Sequence, residues 1–204
     1  MAYKQHFIEW WTGRDTTAPN AWREYQISGS SGGAEYISNT DGAGDDGGGI
    51  KIKSGTGNAQ FALDMNDKCQ FNQDGCVMIS VWSRNTNISG AETIKMGTME
   101  SNYTAGNVFY IRDRGNESTL YAFAKNGSGN TSTAMSTANT QNVWRQTKTE
   151  LKSSSAEASC NGTLEATMEN THLPTVAQQP TFTIDNGNGV NTYASCRFME
   201  IYNT

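Results

Sequence analysis

The chain has 204 residues, 35% of them hydrophobic and 17% charged, with 21 glycines and a formal net charge of −5. Its 15 Lys and Arg are scattered and form no basic tract, which excludes a duplex nucleic-acid binder that needs clustered cations to neutralise phosphates. No run approaches the ~18 apolar residues of a membrane-spanning helix, and solubility rests on Ser, Thr, Asn, Gln and Gly rather than on charge.

The first residues, MAYKQHFIEWW, lack the long apolar core and small-residue cleavage site of a secretory signal. The expectation is a chain made and folded in a cytosol. HFIEWWTGR reads as a first strand, in which the adjacent Trp10 and Trp11 point to opposite faces. One belongs to the core; the other suits an edge, a subunit contact or a sugar. An exposed connection with Pro19 and Trp22 follows.

The stretch TDGAGDDGGG, residues 40–49, carries no Lys and runs into IKIK, which alternates like a strand. A phosphate loop would instead enter a helix. Asp41, Asp45 and Asp46 offer the carboxylate oxygens that calcium takes, although their spacing does not match a D-x-D-x-D-G loop. Asp and Gly are equally the residues of turns that need positive φ, and a loop on the rim is the expectation.

Cys69 and Cys76 frame KCQFNQDGC, which suits a hairpin, and Cys160 and Cys196 stand late in the chain. Spacing does not choose among the pairings. With no CxxC pair and only His6 and His172 to assist, zinc is not expected, and buried thiols are the reading for a reducing cytosol.

Six stretches read as strands: CVMISVWSR, VFYIRD, STLYAFAKN, VWRQTKTEL, TFTID and CRFMEIYN. They alternate or run apolar and are rich in β-branched and aromatic types. Asn- and Gly-dense turns separate them, and the Asn-Gly of AKNGSG signals a hairpin. TAMSTANTQNVW, the best helix candidate, has no sustained 3.6-residue apolar face. Many strands, frequent turns and almost no helix predict an all-β, two-sheet antiparallel sandwich.

The C-terminal half runs through NVWRQTKTEL, ASCNGTLEAT, a polar connection, TFTID, NGNGVNT and ASCRFMEIYN. This order resembles the laminin-G-like, concanavalin A-like jelly-roll superfamily, through Val143-Trp144, Cys160-Asn161-Gly162, the closing Glu200-Ile201-Tyr202-Asn203 and the upstream VMISVWSR. The chain departs from the pattern at Arg145-Gln146, where a His pair is usual, and at the missing aromatic before the CNG turn. The resemblance implies a jelly-roll domain over residues 34–204, with residues 1–33 as an N-terminal strand and connection packed on it.

Glycoside hydrolases of that superfamily carry carboxylates at i, i+2 and i+4 of one strand, and no E-x-D-x-E run exists here. Asp113 with Glu117, and Asp64 with Asp67, read as solvated turn residues, and His172 as a loop histidine without a partner motif. No nucleophile elbow, HExxH or P-loop occurs. The chain is therefore expected not to be an enzyme, and no catalytic residue is assigned.

A charge-poor β sandwich without a signal suits a virion surface protein of a phage, such as a capsid decoration, head fibre or tail fibre. Such a chain folds in the host cytoplasm, assembles as a homo-oligomer with other virion proteins and contacts host glycans. The alternative is a carbohydrate-binding module or lectin, or else a polysaccharide lyase or hydrolase. The candidate ligand contacts are Tyr103 and Asp45, and the candidate calcium ligands are Asp41, Asp45 and Asp46.

Overall fold

The structure, a computed structural model, describes residues 5–10, 22–37, 49–65, 69–86, 90–100, 106–169, 172–187 and 191–204. Fifteen strands run through them: β1 (His6–Trp10), β2 (Arg23–Ser30), β3 (Gly33–Ile37), β4 (Gly49–Lys53), β5 (Thr56–Asp64), β6 (Cys76–Arg84), β7 (Thr93–Met99), β8 (Val108–Arg114), β9 (Thr119–Asn126), β10 (Gly129–Ala138), β11 (Arg145–Leu151), β12 (Ser155–Cys160), β13 (Thr163–Glu169), β14 (Gln179–Asp185) and β15 (Tyr193–Asn203). They form two antiparallel sheets. The first has the order β13-β12-β11-β6-β15-β4-β3 with β1 beside β15; the second has the order β10-β9-β8-β7-β14-β5-β2.

Each of the six predicted strands matches one of these elements, although β9 begins one residue after the start of STLYAFAKN and β11 two residues after the start of VWRQTKTEL. In β6, Met78 and Trp82 point inward and are buried, while Ile79 and Val81 stay half-exposed on the outer face. Between the sheets, Trp82, Phe71, Phe109, Phe182, Met96 and Ile111 are among the largest fully buried side chains of one core. Burying such a side chain stabilises the fold by about 1.5–3 kcal/mol each.

Turns follow their residues. Asn126 pairs with Gly129 across a two-residue loop, and Asn126 Oδ1 accepts from the Ser128 N–H at 2.9 Å. Asn161 and Gly162, at φ 49° and 82°, close β12 onto β13, which is the hairpin geometry that Asn-Gly favours. TAMSTANTQNVW is no helix: its first residues belong to edge strand β10, where exposure alternates.

Two N-terminal strands join the sheets, β1 against β15 and β2 against β5. Trp22, expected in an exposed connection, is buried at 6% exposure, edge-on to Phe7 at 6.0 Å. Pro19, Trp11 and the side chain of Trp10 lie outside the described residues. All four cysteines are free thiols; Cys76, Cys160 and Cys196 are buried and Cys69 is half-buried.

Charge is buried too, which corrects the reading of three acids as solvated turn residues. Asp113 shares strand parity with Phe109 and Ile111, points inward and is fully buried, 3.4 Å from both Arg84 Nε and Arg145 Nη1. Burial pushes its carboxyl up to about 6 against the pull of the two guanidinium groups. Glu117 forms a two-point pair with Arg112, one contact being 3.2 Å. Asp64 is buried and forms a fork with Arg23 at 3.0 and 2.6 Å.

Candidate functional site

The outer face of the second sheet follows from strand parity. In β8 and β9 the small or aliphatic residues Ile111, Leu120, Ala122 and Ala124 turn inward, so Tyr110, Arg112, Tyr121, Phe123 and Lys125 turn outward. Antiparallel register then fixes what meets across the strands. Phe123 pairs with Tyr110, Tyr110 with Gly97, and Gly97 with Thr181.

Along this rung the Tyr110 and Phe123 rings stack with centroids 4.9 Å apart and planes 12° from parallel. Gly97 is required beside them: a Cβ there would stand 2.3 Å from the Phe109 carbonyl oxygen and 2.4 Å from Tyr110 Cα. The rings wall a groove of about 250 Å³, lined further by Ile27, Gln60, Met99, Thr181 and Thr183. The two threonine hydroxyls lie 3.1 Å apart, and Gln60 Nε2 donates to Asp185 Oδ2 at 2.7 Å. Apolar ring walls beside hydroxyls and an amide suit a ligand that is apolar on its faces and hydroxyl-bearing at its edges.

Arg112 sets the far side of the aromatic cluster, with its guanidinium 5.1 Å over Tyr121 and 5.6 Å over Phe123. Lys95 lies 5.9 Å over Tyr110. Burial, with Arg112 and Arg114 nearby, holds the Lys95 ammonium below the usual lysine range against the pull of Asp185. Burial also drives the Tyr110 phenol upward, so it remains protonated and can donate.

The residues expected to form a site, Tyr103, Asp41, Asp45 and Asp46, lie outside the described residues, as does Asp67. Among the described residues no three His, Cys, Asp or Glu side chains gather as a metal set. His172 packs its ring against Gly129, with Nδ1 3.4 Å from Ser128 Oγ, and is not among the groove's walls. Sequence reasoning missed Tyr110, Phe123 and Lys95; for Tyr110 and Phe123 the signal was present as outward parity in strands legible from sequence.

No family model matches this chain, and no curated protein matches it. Solved structures do. A glycoside hydrolase family 16 endo-glucanase from Bacteroides ovatus is similar over 96% of this chain and 99% of its own, with TM-score 0.69 and 8% identity. The carbohydrate recognition domain of Emp47p gives TM-score 0.64 at 12% identity over 96% of this chain and 94% of that one. A carbohydrate esterase from Shiga toxin-encoding bacteriophage phi24B gives 0.57 at 14% identity, over 90% of both chains.

The fold is thus an all-β, concanavalin A-like jelly roll. The expectation that the chain is not an enzyme is corrected by the same finding. Its sandwich coincides over 96% of its length with that of an endo-glucanase, so the lack of an E-x-D-x-E strand no longer argues catalysis away.

Proposed function

We propose that this chain is a carbohydrate-active domain that holds a polysaccharide in the groove on the outer face of its second sheet. The carrying observation is the Tyr110–Phe123 stack, 4.9 Å between centroids, standing in a groove with the Thr181 and Thr183 hydroxyls. The likeness to a glucanase and to a carbohydrate recognition domain supports the same ligand class.

Affinity electrophoresis through gels of soluble polysaccharides tests the reading, with Tyr110→Ala and Phe123→Ala as groove variants and circular dichroism as the folding control. Retardation of the wild type by at least one polysaccharide, reduced about tenfold in folded variants, supports it; a 1.4 kcal/mol loss gives that factor. No retardation in any gel, or retardation unchanged in both variants, overturns it. A reducing-end assay on each retarding polysaccharide reads hydrolysis. The described groove lining carries no carboxylate, so an acid and a nucleophile for that step would come from outside this lining.

A second reading is supported by the likeness to the phage esterase: a virion surface protein, made in the host cytoplasm and assembled as a homo-oligomer with other virion proteins. In it the groove faces host glycans, Tyr103 and Asp45 add glycan contacts, and Asp41, Asp45 and Asp46 ligate calcium. Mass spectrometry of purified virions, light scattering, and binding with and without a chelator test these points. A monomer absent from particles would sink this reading while leaving the groove's role intact.

A further inference from the structure

Among the ten described residues lining the groove, two are lysines and none is a carboxylate. The chain as a whole is acidic, with net charge −5. Several cations elsewhere are paired: Arg23 with Asp64, Lys148 with Glu150, Lys152 with Glu157. Lys95 and Lys125 form no ion pair among the described residues. Asp185, which attracts Lys95 from a distance, already accepts from Gln60 Nε2 at 2.7 Å and from the Gly187 N–H at 3.1 Å. Nearby, Arg114 Nε is buried without a hydrogen-bond partner.

Register places the two lysines on either side of the aromatic rung. Lys95 pairs with Arg112 and Lys125 with Val108, each two residues along β8 from Tyr110. A half-buried ammonium that has lost water and gained no direct ion pair is a costly arrangement unless a ligand completes it. A charge-assisted hydrogen bond from such a group is about twice as strong as a neutral one.

We propose that the groove selects anionic polysaccharides, with sugars against the Tyr110–Phe123 wall and their carboxylate or sulfate groups on Lys95 and Lys125. This rests on the reading that the groove holds a polysaccharide. Neutral glucans satisfy the aromatic wall and leave both ammonium groups unanswered.

Isothermal titration with two matched pairs tests it: polygalacturonate against its methyl ester, and a sulfated galactan against its desulfated form. At least one charged polymer is expected to bind about tenfold tighter than its neutralised partner, and more weakly as salt rises. Lys95→Met and Lys125→Met should each remove about that factor for the charged polymer, so that the preference for the charged over the neutralised partner narrows. Lys95→Arg should retain binding. Thermal melts provide the folding control, since replacing a desolvated ammonium by a thioether is not expected to lower stability. Equal or tighter binding of the neutralised polymers overturns the anionic preference and leaves the groove's role standing. Binding to none of these, nor to neutral glucans, overturns both, and the carboxylate and sulfate arms separate the two anion sources.

Discussion

Asp113 and Arg145 meet at 3.4 Å between the sheets, with Arg84 Nε at the same distance from the same carboxylate oxygen. Arg145 also stacks 5.7 Å from the Trp82 ring, donates to the carbonyls of Ala138 and Thr140, and so ties β11 to the turn after β10. Arg84 donates to the Asn139 carbonyl beside it. The acid is therefore the charge centre of one end of the sandwich.

Burial raises the Asp113 carboxyl from 3.8 to about 6. A carboxyl raised in the fold contributes stability that is full below its ordinary value and is lost as pH rises through its folded value. The stability difference between wild type and Asp113→Asn should move in the variant's favour between about pH 4 and pH 7, at about 1.4 kcal/mol per pKa unit. Urea unfolding across that range checks this, and a pH-independent difference would count against the assignment.

A second prediction concerns the polar knot inside the first sheet. Thr147 Oγ1 accepts from the Trp82 indole N–H at 2.9 Å and lies 2.9 Å from Ser80 Oγ, all three residues being buried. Thr147→Val should cost about 1–3 kcal/mol by stranding buried donors, whereas Thr147→Ser keeps the hydroxyl and should lose less. Thermal melts of both variants decide it, and equal losses would deny the knot its role.

Gly97 supplies a third. Any Cβ there meets the β8 backbone at 2.3–2.4 Å, so Gly97→Ala should cost about 1–3 kcal/mol as other overpacked substitutions do. It should also displace Tyr110 and weaken polysaccharide binding at temperatures where the protein stays folded. An alanine variant as stable as wild type would mean that β7 and β8 lie further apart than described.

Thiol chemistry gives the fourth. Cys76, Cys160 and Cys196 are buried, and burial pushes Cys76 up to about 12, whereas Cys69 is half-buried and its thiol is raised as well. Since thiolate is the reacting form, iodoacetamide should label Cys69 slowly and the other three only after unfolding. Intact mass against time reads this, and rapid native labelling of Cys76 would contradict its burial.

The strands legible in sequence were those whose parity and composition agree, such as VFYIRD and STLYAFAKN. REYQISGS, TGNAQFALD and TIKMGTM escaped because Gly, Thr and Gln interrupt them and blur the alternation. What makes them strands is pairing with neighbours far away in sequence. Asp113 was misread for a different reason. Its closeness to Gly115 suggested a turn, while its parity with Phe109 and Ile111 already placed it inward. The groove was harder to foresee, because Tyr110 and Phe123 become neighbours only through a register that a one-residue slip would invert. The expectation of no catalysis fails because a missing motif on one strand says nothing of the scaffold around it, and the likeness of that scaffold to an endo-glucanase emerges only in three dimensions.

The Phe123–Tyr110–Gly97–Thr181 rung crosses four strands at right angles to the chain. Neighbouring strands stand about 4.8 Å apart, so a polymer laid along that direction is measured out at a fixed interval, one residue per step. Changing Phe123, Tyr110 or Thr181 edits a single step of the ruler, while its neighbours in sequence, facing the other way, keep the sandwich closed. A new preference can therefore arise strand by strand, with no redesign of the interior.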